Sequence, residues 1–298
     1  MDLGIDQVNA MLRASVMASN PAATVEERRA GMLAATAIML PLETVEISET
    51  TLAGRPTLSF RPSKAMAGKA LLYLHGGGYV IGSPETHRGI VSQISNAIGA
   101  NAWSLDYRMG PEDPFPAGVN DAVAAYRELL ETHAPGDILI AGDSAGGGLA
   151  LASAMKALDA GLPMPAGLVL LSPWANLNQV GSSYDTKAEA DLMVSRESLN
   201  WYAEQYLGAD QNADDPYASP AYGDFSGLPP ILVQVGADEV LYSDSVAVAE
   251  RAGASNVAVT LECWPHMPHV FQSFYPFLAE SRAAIVRIGE WSTAQLAR

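Results

Sequence analysis

Hydrophobic positions along the chain fall into two patterns. In Val45-Glu46-Ile47-Ser48 and again in Thr57-Leu58-Ser59-Phe60-Arg61 they alternate with polar ones, the period expected of antiparallel edge strands with one wet face. From Ala70-Leu71-Leu72-Tyr73-Leu74 onward the apolar runs are short and continuous, as in strands covered on both faces. Helical patterns separate them. A helix over 86–98 precedes a strand over 102–105, and one over 117–131 precedes a strand over 138–141. A run of small and apolar residues over 149–158 precedes a strand over 168–171. A strand over 231–235, a helix over 243–252, a strand over 257–262 and a last helix from about 277 complete the series. This alternation predicts an α/β protein whose eight strands form a mostly parallel sheet with helices on both faces.

Two segments depart from that rhythm. Residues 1–42 read as helical: Thr24 and Glu27 have the spacing of a capping box ahead of a helix through Met39, and Pro41 closes it. Met11, Met17, Met32 and Met39 lie here; core packing is the first reading for each, and as a group they could face a pocket. Between Pro173 and Pro230 no buried strand is expected, only a helix over 196–206 capped by Ser195. An insertion of that size after a strand's C-terminal end sits on the ligand side of such a sheet. The expected organisation is a core of residues 43–175 and 221–298, covered by a cap made of residues 1–42 and 176–220.

Composition narrows the partners. The 298 residues carry 33 acidic against 17 basic side chains, a formal charge of −16, with no basic cluster. That field repels nucleic acid and anionic membranes and favours neutral small molecules over anionic ones. Apolar residues make up 49 % of the chain, enough for a large core. Cys263 is the only cysteine, which excludes an internal disulfide and a cysteine-based zinc site. The start Met1-Asp2-Leu3-Gly4-Ile5-Asp6 lacks the charge and apolar stretch of a secretory signal. The most apolar run, Gly167–Leu171, is far too short to span a bilayer. A cytoplasmic protein without a membrane span is expected.

The chemistry concentrates at the strand predicted over 138–141. Gly142-Asp143-Ser144-Ala145-Gly146 joins it to the following helix, the strand–turn–helix setting of a nucleophile elbow, in which a strained turn exposes the serine. A second glycine run, His75-Gly76-Gly77-Gly78-Tyr79, follows the strand at Ala70 to Leu74. Its backbone N–H groups can turn inward as an oxyanion loop, and donation is assigned to Gly77, Gly78 and Ala145. A phosphate-binding reading lacks the lysine or helix entry that it needs. An activated serine requires a base, and the base an orienting acid. Of five histidines, His133 reads as a surface residue, His87 as structural and His75 as part of the glycine loop. His266 and His269, after the last strand, remain as base, with His269 assigned. For the acid, Asp238 in Gly236-Ala237-Asp238-Glu239-Val240 is assigned, with Glu239 and Asp244 as rivals.

These motifs, together with Asp106-Tyr107-Arg108, Pro111-Glu112, Pro114-Phe115-Pro116-Ala117, Ser172-Pro173-Trp174 and His269 with Phe271, make the chain similar over nearly its whole length to the bacterial hormone-sensitive-lipase-like esterases. The resemblance implies an α/β-hydrolase core with a helical cap and hydrolysis of short- to medium-chain esters without metal or organic cofactor. It carries the catalytic roles onto Ser144, Asp238 and His269, and the oxyanion roles onto Gly77, Gly78 and Ala145. Where the family commonly has Asp-Pro-Leu and His-Gly-Phe, this chain has Asp238-Glu239-Val240 and His269-Val270-Phe271. Arg108 and Glu112 read as charges that brace a loop. An amidase or lactonase on the same scaffold, or a non-catalytic ligand-binding receptor, are the alternatives. Tyr79, Trp174, Tyr184 and Met193 are candidate pocket residues, with core packing as the alternative for each, and the edge strand over 257–262 could pair with a second copy in a homodimer.

Overall fold

The two alternating segments pair with each other: β1 (Val45–Leu52) and β2 (Arg55–Pro62) form a hairpin closed by Ala53 and Gly54, both at positive φ, as a two-residue turn between twisted strands requires. In the computed structural model, residues 3–18, 20, 22–209 and 212–298 are described, without the side chains of residues 16–18. Two helices precede the hairpin, α1 (Ile5–Ala18) and α2 (Val25–Thr36). Thr24 caps α2 in the expected box, its hydroxyl accepting from the N–H of Glu27 while the Glu27 carboxylate accepts from that of Thr24.

Alternation then proceeds as the pattern predicts. In chain order come β3 (Ala70–Leu74), α3 (Arg88–Ile98), β4 (Asn101–Leu105), α4 (Ala117–Leu129), β5 (Ile138–Asp143), α5 (Ala145–Asp159) and β6 (Gly167–Leu171). After the insertion, with its short α6 (Ser183–Thr186) and α7 (Arg196–Leu207), follow β7 (Ile231–Gly236), α8 (Tyr242–Ala254), β8 (Val259–Trp264) and α9 (Ala279–Leu296). The strands form one sheet in the order β1-β2-β4-β3-β5-β6-β7-β8, parallel from β4 to β8 and antiparallel at β1–β2 and β2–β4. Only β1 of the two alternating strands is an edge; β2 lies inside, against β4. The last strand begins two residues later than its apolar pattern suggests. Val257 is buried at the end of α8, its N–H closing that helix on the Ala252 carbonyl.

Side-chain alternation splits the core into two layers. Leu72, Leu74, Ile138, Ile140, Leu168, Leu170, Ile231 and Val233 pack with residues of α4, α5 and α8 on one face. Leu71, Tyr73, Leu139, Ala141, Val169, Leu171 and Leu232 pack with residues of α3 and α9 on the other. Burial on both faces explains why these strands read as continuous apolar runs. Both ligand-side ends of β3 and β5, in the middle of the sheet, therefore project their loops to the same rim.

The insertion closes over that rim. The Tyr202 ring on α7 lies against Gly78, where a Cβ would come within 2.5 Å of the ring. The α7 backbone reaches the loop after β4 as well, with the Phe115 N–H donating to the Tyr206 carbonyl. From the N-terminal segment, Arg29 on α2 pairs bidentately with Glu112 and donates to the carbonyls of Val80 and Gly110. Arg108 pairs with Asp121. Arg108 and Glu112 thus brace loops, as expected. Of the methionines in that segment, Met11 is exposed, and Met32 and Met39 are half-buried; the Met17 side chain lies outside the described residues. No helix among the described residues is long and apolar enough to cross a membrane.

Candidate active site

The elbow forms because its small residues allow it. Ser144 sits at φ 53° and ψ −122° between β5 and α5, a region that costs a non-glycine residue of the order of 1–3 kcal/mol. Its neighbours leave no alternative to glycine: a Cβ at Gly142 would lie 2.2 Å from the Gly146 carbonyl oxygen, and one at Gly146 would lie 2.0 Å from that of Leu74. The turn is held by the Ser144 N–H donating to the Leu171 carbonyl, while the Ser144 carbonyl accepts from Trp174. Its hydroxyl is thereby aimed away from the sheet.

His269 meets it there. The Ser144 hydroxyl lies 2.9 Å from His269 Nε2, and His269 Nδ1 lies 2.7 Å from Glu239 Oε2. The carboxylate on His269 is therefore that of Glu239, and the assignment of Asp238 is corrected. The reason lies in the turn after β7. The Glu239 N–H closes that turn on the Gly236 carbonyl, so its side chain folds back, and Oε1 accepts from the Gly236 N–H at 2.5 Å and from the Ser172 hydroxyl at 2.7 Å. Asp238, at the outside of the same turn, is half-buried and contributes its backbone N–H to the Met267 carbonyl. Asp244, the other rival, is buried against Tyr184 and the N–H groups of Ala175 and Asn176. His266 is exposed, at φ 61°, and takes no part.

Electrostatics suit the arrangement. Glu239 is fully buried, and desolvation pushes its carboxyl up, against the pull of His269 and Ser172. Burial alone would depress the His269 imidazole, yet the facing Glu239 outweighs it and holds the ring above its usual value of 6.5. Asp191, from the insertion, accepts from the N–H of Val240 at 2.9 Å and from those of Met193 and Val194. The insertion thereby anchors the residue next to Glu239, a link that the sequence pattern did not disclose. Ser172, similarly unmarked except by its place in Ser-Pro-Trp, bridges Glu239 and the N–H of Val270.

The glycine loop begins beside the elbow: the Gly76 N–H donates to Asp143, and a Cβ at Gly146 would lie 2.5 Å from the His75 carbonyl oxygen. Gly77 and Gly78 have φ of 112° and 62°, and a Cβ at Gly77 would lie 1.9 Å from the Ile81 carbonyl oxygen. Their N–H groups, and that of Ala145 at the first turn of α5, meet no acceptor among the described residues. Unengaged N–H donors on this loop and at the N-terminus of α5 are of the kind that favours negative charge on a bound oxygen. No group of three or more His, Cys, Asp or Glu side chains placed to hold a metal ion occurs among the described residues. Of the candidate pocket residues, Tyr79, Trp174 and Tyr184 are buried in the core, the alternative held for them, and Met193 is exposed.

A family model described as alpha/beta hydrolase fold matches residues 71–273. An esterase from the bacterial hormone-sensitive lipase family superposes with a TM-score of 0.95, at 42 % identity, covering 99 % of this chain and 100 % of its own. The chain belongs to the hormone-sensitive-lipase family of α/β-hydrolases. It is 48 % identical over 226 residues to an acetyl-hydrolase of Streptomyces hygroscopicus, 76 % of this chain and 75 % of that one. It is 33 % identical over 252 residues to an esterase of Acinetobacter venetianus, 84 % of this chain and 83 % of that one.

Proposed function

We propose that the protein is a serine carboxylesterase acting on short- to medium-chain esters. The observation that carries the reading is the His269 imidazole bonded at one nitrogen to the Ser144 hydroxyl and at the other to the buried Glu239, beside three unengaged N–H donors. His269 takes the Ser144 proton as the oxygen attacks the ester carbonyl, and Glu239 stabilises the imidazolium and fixes its orientation. The carbonyl oxygen, now negative, rests against Gly77, Gly78 and Ala145; each such donor is worth about 3–4 kcal/mol in the transition state. The imidazolium returns the proton to the departing alcohol, and water then releases the acid from Ser144 by the same path. Relatives named acetyl-hydrolase and esterase support small acyl groups.

Ser144→Ala is the direct test: hydrolysis of p-nitrophenyl acetate should vanish while the circular dichroism spectrum is retained, and a variant that keeps the parental rate refutes the reading. A rate series from acetate to palmitate, with matched amides and lactones, tests the substrate class. The reading includes a cytoplasmic location, for cell fractionation to check. It also includes a homodimer, since β8 is a free sheet edge open to a second copy, for light scattering to check.

A further inference from the structure

Behind the elbow lies a second carboxylate–imidazole pair that the reaction itself does not use. Asp143, the residue before Ser144, is buried, and its Oδ1 accepts from the Gly76 N–H at 3.0 Å and from the Tyr73 hydroxyl at 2.8 Å. Its Oδ2 lies 3.3 Å from His87 Nε2, and His87 is buried as well. The other nitrogen of His87 also faces an obligate acceptor, the Ser83 carbonyl oxygen, 3.1 Å from Nδ1. The Thr86 hydroxyl lies 2.8 Å from both that carbonyl and Nδ1 and can donate to either. A carboxylate at one nitrogen and a carbonyl at the other favour a ring protonated on both, and Asp143 raises the imidazole above its ordinary value against the pull of burial. Tyr73 from β3, His75 from the glycine loop and Asp143 from β5 are the titratable groups around it. His75, with ring centroids 5.5 Å away, donates from Nδ1 to the Gly76 carbonyl and remains neutral, pushed down to about 3 by burial and by the charge on His87.

We propose that His87, as an imidazolium, is a positioning residue for the oxyanion loop, acting on Gly77 and Gly78 through Asp143 and the Gly76 N–H. The chain of contact is short. Asp143 is held by the cation on one oxygen and grips the first glycine of the loop with the other. A Cβ at Gly76 would lie 2.2 Å from Asp143 Oδ2, so glycine here is what lets carboxylate and loop meet. Removing the charge from His87 leaves Asp143 buried without its counter-ion, and the carboxylate then relaxes away from the loop. The transition state loses donors aligned on its oxygen; the ground-state ester, which needs them less, is bound nearly as before.

This role rests on the esterase reading, and two measurements separate them. In the parent protein labelled with 15N-histidine, one imidazole should still bear protons on both nitrogens at pH values above 6.5, where an ordinary imidazole has lost one. That signal should persist in His269→Ala, which assigns it away from the base. It is read without substrate, so a parent that cleaves no ester would sink the esterase reading and leave the ring's charge still measured. In His87→Gln, kcat per serine titrated with a phosphonate should fall about tenfold with KM changed less than about twofold. Absence of a doubly protonated ring, or a folded His87→Gln with parental kcat, overturns the proposal. Should His87→Gln fail to fold, the ring signal in the parent decides alone.

Discussion

A carboxylate that orients a base must reach it from a fixed position, because a mobile one gives back in entropy what it contributes in charge. Glu239 is fixed three times over, by Gly236, Ser172 and His269. Glu239→Gln should therefore lower kcat by about 10²- to 10⁴-fold, the range in which loss of an orienting acid falls. Asp238→Asn should leave kcat within about twofold of the parent, as surface changes away from the reacting groups do; rates on p-nitrophenyl acetate compare the two. The pH profile follows from the same contact. His269 must be neutral to accept the proton, and the facing Glu239 holds its value above 6.5. Activity should rise with pH through a midpoint above 6.5, and the residual activity of Glu239→Gln should rise at a lower pH than that of the parent. A midpoint that does not move would remove Glu239 from contact with the base. That Asp238 and Glu239 are adjacent is plain in the chain; which one turns inward depends on the turn closed at Gly236, and no pattern of apolar residues encodes it.

At the scale of elements, the parallel strands and their helices were legible because burial on both faces leaves uninterrupted apolar runs, as in Ala70–Leu74 and Ile138–Asp143. Ends were less so. Polar residues at the start of α3 look helical, yet His87 stands outside the helix with its ring committed to Asp143. Among the helices α2 differs from those of the core in kind: it buries no residue and depends on its capping box and on Arg29. Thr24→Ala should cost about 1 kcal/mol in that helix, seen as faster hydrogen exchange at α2 amides, with exchange in β3 and β5 unchanged. Equal acceleration throughout the protein would mean that α2 does not open on its own.

For the whole molecule, the pH dependence of stability turns on groups buried between the sheet and the rim. His75 has no exposed surface and is pushed down from 6.5 to about 3 by burial and the neighbouring His87. The unfolded chain thus binds a proton that the folded one refuses, so the contribution of His75 to stability is complete above about 6.5 and is lost as the pH falls toward about 3. Melting temperature should drop across that interval, and less so in His75→Asn, which keeps a donor for the Gly76 carbonyl without a ring to protonate. An identical slope in both proteins would assign the acid lability elsewhere.

Periodicity, glycine runs and the order of serine, acid and histidine follow from local covalent chemistry and burial, and these alone determined the sheet, the elbow and the loop facing it. Tertiary structure decided the rest: the turn that brings Glu239 and not Asp238 to His269, Asp191 of the insertion anchoring Val240, and His87 placed behind the nucleophile. The physical reason is one of range. A hydrophobic pattern reports which face of an element is dry, whereas the partner of a buried charge is set by the packing of elements whose separation along the chain leaves no trace in either segment.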